Sequence, residues 1–230
     1  MPEAALCQQV SFVVPVLNEA AGIGAMLRDL RARYAGSEII VVDGGSVDQT
    51  VARAMPLCDQ LLTTEAGRAR QMNLGGRVAS NSYVFFLHAD SSPGVAAEHL
   101  AACLARQPQW GFCRVRLSGS LAVFRVIERF MNWRSRLSRV ATGDQMLFLR
   151  KSLFQQTQGF ELIPLMEDVA YCKRLRRLAP PLVIEEPVTT SSRRWEEQGV
   201  ARTVLRMWVL RFAYFCGVSP HYLWRHYYGR

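Results

Sequence analysis

Between residues 10 and 90, apolar runs of strand type alternate with stretches of helical spacing. "VSFVVPVL" (10–17) reads as a strand, and 19–34 then set Ile23, Leu27, Leu30 and Tyr34 on one side of a helix. "EIIVVD" carries four β-branched residues, Ile39 to Val42, straight into an acid, Asp43. Residues 48–56 predict a short helix ended by Pro56, 60–65 a weak strand, and 67–80 a helix despite internal glycines. "YVFFLHAD" (83–90) predicts a strong apolar strand that ends in polar residues. Such alternation implies parallel strand–helix–strand units with helices on both faces of one sheet. Ligands of these sheets bind beyond the carboxyl ends of the strands. Asp43 and Asp90 both fall at such ends. A carboxylate closing a buried strand is costly without a partner, so the two acids predict a ligand crevice.

The second half is less regular. Residues 114–120 and 145–151 read as strands, and 121–139 as an arginine-studded amphipathic helix. "MEDVAYCKRLRRL" (166–178) is helical, with Glu167 and Asp168 in the first turn, where the helix dipole favours acids. Residues 196–215 predict one long helix with a face of Val204, Leu205, Trp208 and Phe212. Residues 219–230 open on a Ser-Pro helix start and are crowded with aromatics and bases. No linker divides the chain, and 230 residues at 50% hydrophobic content suffice for one sizeable core.

The formal net charge is +9, almost all from arginine, the lysines being Lys151 and Lys173. That excess suits nucleic acid, an anionic membrane or phosphorylated substrates. Six cysteines without a CxxC pair or metal spacing read as reduced core thiols of a cytosolic protein. The N-terminus lacks the basic start and long apolar stretch of a signal peptide. The apolar stretch from Met207 to Val218 is interrupted by Arg211 and falls short of the ~20 residues that span a bilayer.

Several chemistries are excluded by their motifs. Gly22 and Gly24 form a G-x-G, but Leu27 holds the third glycine position and the pair lies in or after the helix start, which argues against a dinucleotide fold. A Walker A loop, G-x-S-x-G and HExxH are absent, and the four histidines are scattered. Three acidic sites remain: Asp43, Asp90 and the pair Glu167-Asp168. Singly, each reads as a turn former or a helix N-terminal acid. Together at one crevice they repel one another unless a cation or a donor-rich substrate lies between them.

In "VVPVLNE" (13–19), "EIIVVDGGSVDQT" (38–50), "GRARQMNLGGRVA" (67–79), "VFFLHADSSP" (84–93), "GDQMLFLRKSLFQQTQGF" (143–160) and "LMEDVAYCKRLRR" (165–177), the chain resembles the family 2 glycosyltransferases, whose fold is GT-A. The wording "GRARQMN", "FLHAD", "GDQ" and "SSRRWEEQG" is most similar to the rSAM/selenodomain-associated transferases of the second type. The resemblance implies an α/β GT-A fold with a mostly parallel central sheet. Residues 1–195 would form the catalytic domain, nucleotide-binding over about 1–95 and acceptor-binding over about 96–195. Residues 196–230 would form a helical C-terminal extension packed on it.

The resemblance also implies roles. Asp43 would bind the base of a nucleotide-sugar, foremost a UDP-sugar. Pro15, Asn18 and Glu19 would shape the nucleotide pocket, with Ser46 in the glycine turn and Arg68 near the base or phosphates. Asp48 reads as the cap of the next helix, and Asn73 as a pin between its helix and the sheet. Asp90 matches the last acid of the family's D-x-D and would carry Mg²⁺ or Mn²⁺ on the diphosphate. Asp168 would be the general base of an inverting transfer, with Glu167 orienting the acceptor or the loop. Arg193, Arg194 and Trp195 resemble the end of Q-x-x-R-W, with Ser191 in the glutamine position, and would serve diphosphate or acceptor.

Two positions depart from the family. His88 replaces the first acid of D-x-D, where it would hydrogen-bond ribose or phosphate, and Gly44 stands where a second aspartate is common. The expected partners are a nucleotide-sugar donor and an acceptor of unknown identity, small or lipid-linked. Nucleic acid is not among them, since no recognised binding module is present. The aromatic, arginine-rich C-terminus suits an anionic membrane at its cytoplasmic face or a homodimer interface. A nucleotidyltransferase and a non-catalytic nucleotide-sugar binder are the alternatives. The first would want a base-rich opening loop, which "PVLNEAAG" is not.

Overall fold

Strand β1 (Val10–Val16) is buried along almost its whole length, and its side chains divide between two apolar layers. The computed structural model describes residues 9–228, without the side chains of 194, 227 and 228. Cys7 and the side chain of Arg194 therefore lie outside the described residues. Phe12, Val14 and Val16 face helix α1 (Ile23–Arg33) through Ile23, Leu27 and Leu30. Val13 faces the other layer with Ile40 and Val42 of β2 (Glu38–Asp43). That layer is closed by α3 (Arg68–Val78), α6 (Lys151–Thr157) and α7 (Glu167–Leu178). The glycines inside α3 have a packing reason. A Cβ on Gly75 would lie 2.4 Å from Val13, and one on Gly76 2.5 Å from Phe154.

The remaining elements are α2 (Thr50–Ala54), β3 (Gln60–Thr63), β4 (Tyr83–Phe86), β5 (Ser91–Pro93), α4 (Ala97–Ala105), β6 (Trp110–Leu117), α5 (Ala122–Ser138), β7 (Phe148–Arg150), β8 (Leu182–Thr190), α8 (Arg193–Gln198), α9 (Val200–Phe215) and α10 (Pro220–Tyr228). The strands form one sheet in the order β3-β2-β1-β4-β7-β6-β8-β5. β3, β2, β1 and β4 are parallel neighbours, as are β6 and β8, while β7 and β5 run opposite to the rest. The sheet is thus mixed, with its parallel half in the first ninety or so residues.

Several expectations shift. β4 stops at Phe86, because the chain turns out of the sheet at His88, whose carbonyl accepts from Ser91 N at 3.1 Å. Asp90 therefore sits in a turn, not on a strand end. The long helix expected over 196–215 is broken at Gly199, whose φ of +83° suits glycine, into α8 and α9. Strand β8 goes unseen in the sequence because its pairing with β6 slips: Cys113 opposes Ile184 and Arg114 opposes Pro187, so Glu185 and Glu186 bulge. Helices α4 and α6 and strand β5 were likewise not expected. Asn73 pins α3 to the loop after α6, not to the sheet: its amide exchanges hydrogen bonds of 2.8 Å with both backbone groups of Phe160.

Candidate active site

A cleft of about 760 Å³ opens beyond the carboxyl ends of the central parallel strands. Pro15 and Glu19 line it from the end of β1, Arg68 from the start of α3, His88 and Asp90 from the turn after β4, and Glu167 from the start of α7. Six of the expected site residues are thus brought together. The rim adds two residues that sequence reasoning passed over, His221 and Trp224 of α10.

Asp43 answers its burial cost inside its own loop. It is 2% exposed, and its carboxylate accepts from Gly45 N at 2.9 Å, from Ser46 N at 3.0 Å and from the Ser46 hydroxyl at 2.5 Å. It does not line the cleft. The loop is tied to the one after β1. Asn18, at φ 55°, donates from its backbone to Ser46 Oγ and accepts Val47 N on Oδ1, each at 2.9 Å. Asp48 was expected to cap α2, but the N-cap position is Gln49, without a side-chain cap. Asp48 instead accepts from Thr50 N at 2.9 Å and from Ala20 N at 3.2 Å, tying the two loops. Gln71 braces the two strand ends by donating to the carbonyls of Val16 and Val42, both at 2.8 Å. Asn18, Asp43, Ser46 and Asp48 therefore tie these two loops together beside the cleft, and none of the four lines it.

Asp90 is exposed, with Oδ1 accepting from the Ser91 hydroxyl at 3.3 Å. Burial raises the pKa of Glu19, and the charge of Asp90 raises it further, while Arg193 and Arg68 oppose. Two carboxylates thus crowd one side of the cleft. Among the described residues, no three His, Cys, Asp or Glu side chains gather into a metal cage. A lone carboxylate still fits a hard cation of the Mg²⁺ type, which takes one or two carboxylates and completes its shell with phosphate oxygens and water.

His88 is buried against the turn at Gly143, where a Cβ would lie 2.3 Å from its ring. Its Nδ1 stands 3.5 Å from Asp144 Oδ1. Burial pushes the Asp144 carboxyl up, but His88 together with the charges of Arg68 and Arg211 outweighs this and holds it below the usual carboxylate range. Next in the turn, Gln145 is fully buried and accepts from Thr142 N at 3.1 Å and the Ser135 hydroxyl at 2.8 Å.

Glu167 and Asp168 point to different surroundings. Glu167 is buried on the cleft, and burial followed by the charge of Asp168 raises its pKa. Asp168 turns toward the Gly143 loop, accepting from Gly143 N at 2.7 Å and from Val169 N at 2.6 Å. Two arginines lie within its electrostatic reach. Burial lowers the pKa of Arg211, which Asp168 and Asp144 oppose. Burial and the charge of Arg211 lower Arg134 to about 10. In the sequence Arg134 is one of several arginines on an amphipathic helix, and Arg211 was noticed only as the charge that interrupts an apolar stretch.

The segment of Arg193 and Trp195 reaches the site by its backbone: Ser191 N donates to Asp90 O at 3.2 Å. Arg193 is exposed on α8, its charge felt at Glu19, and Trp195 is half-buried. Neither lines the cleft. The side chain of Arg194 lies outside the described residues.

Residues 11–106 match the family model for glycosyl transferase family 2. A "PGL/p-HBAD biosynthesis glycosyltransferase" of Mycobacterium tuberculosis (strain ATCC 25177 / H37Ra) is 34% identical over 90 residues, 36% of this chain and 35% of the relative. The chain thus spans about a third of the length of the curated relatives it matches. Among solved structures, S. aureus TarS 1-349 in complex with UDP-GlcNAc has a TM-score of 0.64 at 18% identity, covering 80% of this chain and 58% of that one. Mannosyltransferase PcManGT from Pyrobaculum calidifontis, in complex with GDP-Man and Mn²⁺, has a TM-score of 0.58 at 22% identity, covering 80% and 56%. These likenesses agree with the mixed sheet and the cleft at its strand ends: residues 11–106 match glycosyl transferase family 2, and the chain that carries them has the GT-A fold.

Proposed function

We propose that the chain is an inverting glycosyltransferase that moves a sugar from a nucleoside diphosphate, foremost UDP, to a small or lipid-linked acceptor. The observation that carries this reading is the cleft itself. Glu19, Arg68, His88, Asp90 and Glu167 converge on one cavity of about 760 Å³ at the strand ends of a family 2 segment. That UDP-GlcNAc and GDP-Man occupy proteins of this fold supports a nucleotide-sugar donor here.

In this reading Asp43 recognises the base, exchanging the Ser46 hydroxyl for a base N–H. Pro15 and Asn18 shape that end of the pocket. Arg68 and His88 donate to the diphosphate or ribose, with Arg193 and Arg194 approaching from α8 and Trp195 walling the acceptor side. Asp90, with Glu19 beside it, would hold Mg²⁺ or Mn²⁺. When bound, such an ion neutralises charge on the departing diphosphate. Asp168 takes the proton of the acceptor nucleophile, its lone pairs oriented by the N–H groups of Gly143 and Val169.

One observation favours a second assignment of the base: Glu167, not Asp168, lines the cleft. The protein would work in the cytoplasm, with residues 196–230 against the inner face of the membrane. A thermal-shift panel of nucleotides and nucleotide-sugars, with and without Mn²⁺, tests the donor. A ligand at 100 times its Kd contributes about 2.7 kcal/mol. Enzymatic release of UDP then separates a transferase from a non-catalytic binder.

A further inference from the structure

Helix α5 buries Phe124, Glu128, Asn132 and Ser135 against the sheet. Its opposite face carries Val123, Val126, Phe130, Trp133 and Leu137, all exposed, Trp133 by 64% and Leu137 by 71%. The spacing alternates three and four, so these side chains form one continuous stripe along the helix. Helix α9 repeats the pattern with Leu205, Trp208, Phe212 and Phe215 exposed. The two helices approach one another through their arginines: Arg211 of α9 lies within electrostatic reach of Arg134 of α5, and both lie within reach of Asp168.

Such a stripe serves either a second copy or a lipid surface, and the charges beside it discriminate. Helices α5, α9 and α10 together hold eight arginines and a single acid, Glu128. That acid is buried and accepts from Leu117 N at 2.6 Å. Arg129 and Arg139 flank the α5 stripe in solvent, as does Arg136, which pairs with Glu185 of β8 at 3.4 Å. A second copy brought face to face would set arginine against arginine with no helical carboxylate to answer it. An anionic bilayer supplies phosphates to the arginines and an acyl boundary to the tryptophans.

We propose that the α5 stripe, together with the exposed face of α9, is a docking surface for an anionic phospholipid bilayer, holding the Asp168 side of the site at the membrane. This rests on the sugar-transfer reading only for its purpose, and it adds α5 to the C-terminal contact named there.

Co-sedimentation with phosphatidylglycerol vesicles, pure phosphatidylcholine vesicles serving as control, tests it at low salt. The full chain is expected to sediment with the anionic vesicles alone. The double variant Trp133→Ser/Leu137→Ser is expected to lose that binding while keeping its melting temperature and its UDP release in lipid-free buffer. Arg129→Glu is expected to weaken binding roughly tenfold. Failure to sediment with phosphatidylglycerol overturns the proposal, as does binding that ignores both α5 variants. So does a stable wild-type dimer that the double variant turns into a monomer, which would give the stripe to a second copy. Lipid-free UDP release is read separately, so failure of docking and failure of the sugar-transfer reading are told apart.

Discussion

The carboxylate of Asp168 accepts a hydrogen bond of 2.7 Å from the backbone N–H of Gly143. That contact joins the start of α7 to the turn that also carries Asp144 and supports His88. Asp168 and His88 therefore rest on one short loop, with no room in it for a side chain at 143.

Gly143→Ala should show this directly. The added Cβ would lie 2.3 Å from the His88 ring, so the ring or the turn must move. Overpacking of this kind costs about 1–3 kcal/mol. Donor-dependent stabilisation should fall together with the melting temperature. Unchanged values in both measurements would mean that the turn is not coupled to the cleft.

Glu167 gives a pH prediction. Its folded pKa is raised above the ordinary 4.5 by burial and by Asp168. The folded state thus holds the proton more tightly than the unfolded state. The stability this confers is complete below pH 4.5 and is lost as pH rises through the folded value. Glu167→Gln should therefore be more stable than the parent at neutral pH, with the difference vanishing under acid. Denaturant titrations at neutral and acidic pH decide it, and a neutral-pH difference of the opposite sign would contradict the burial.

Asp43→Ala should do two things at once. It orphans the N–H groups of Gly45 and Ser46, each bonded to the carboxylate. Hydrogen bonds to a charged group contribute about 1.5–3 kcal/mol each. If Asp43 also meets the base, UDP should no longer raise the melting temperature of the variant. A UDP shift of parental size on a less stable protein would leave Asp43 with the turn alone.

Asp90→Asn should remove the Mn²⁺-dependent part of donor stabilisation and leave the ligand-free melting temperature unchanged, since the side chain is exposed. Equal responses to Mn²⁺ and EDTA in parent and variant would move the cation elsewhere.

The parallel half of the fold was legible because its strands are buried on both faces and read as continuous apolar runs. Ile39–Val42 is the plainest case, and Asp43 ends its strand as expected. The second half was legible only in part: β7 lies inside the strand read over 145–151 and β6 overlaps the one read over 114–120, but β5 is only three residues long and β8 hides its bulge in Glu185 and Glu186. In the site, motif residues such as Asp90 and Glu167 stood out as acids beside apolar runs. Asp144 and Arg134 did not, and Arg211 was noticed only as a break in an apolar stretch, because their place in the site comes from proximity between distant segments. Asp43 was noticed for its cost, and the structure shows that its own loop supplies the partners.

The central claim is that one acid of the Glu167-Asp168 pair serves as general base, and that it is Asp168. Turnover of Asp168→Asn at saturating donor, beside its donor affinity, tests this most directly. The amide keeps the shape and removes the basicity. The account predicts a rate lower by about 10²–10⁴ with donor affinity unchanged. Near-normal turnover in Asp168→Asn, with the corresponding loss appearing in Glu167→Gln, would contradict it and give the role to the acid that lines the cleft.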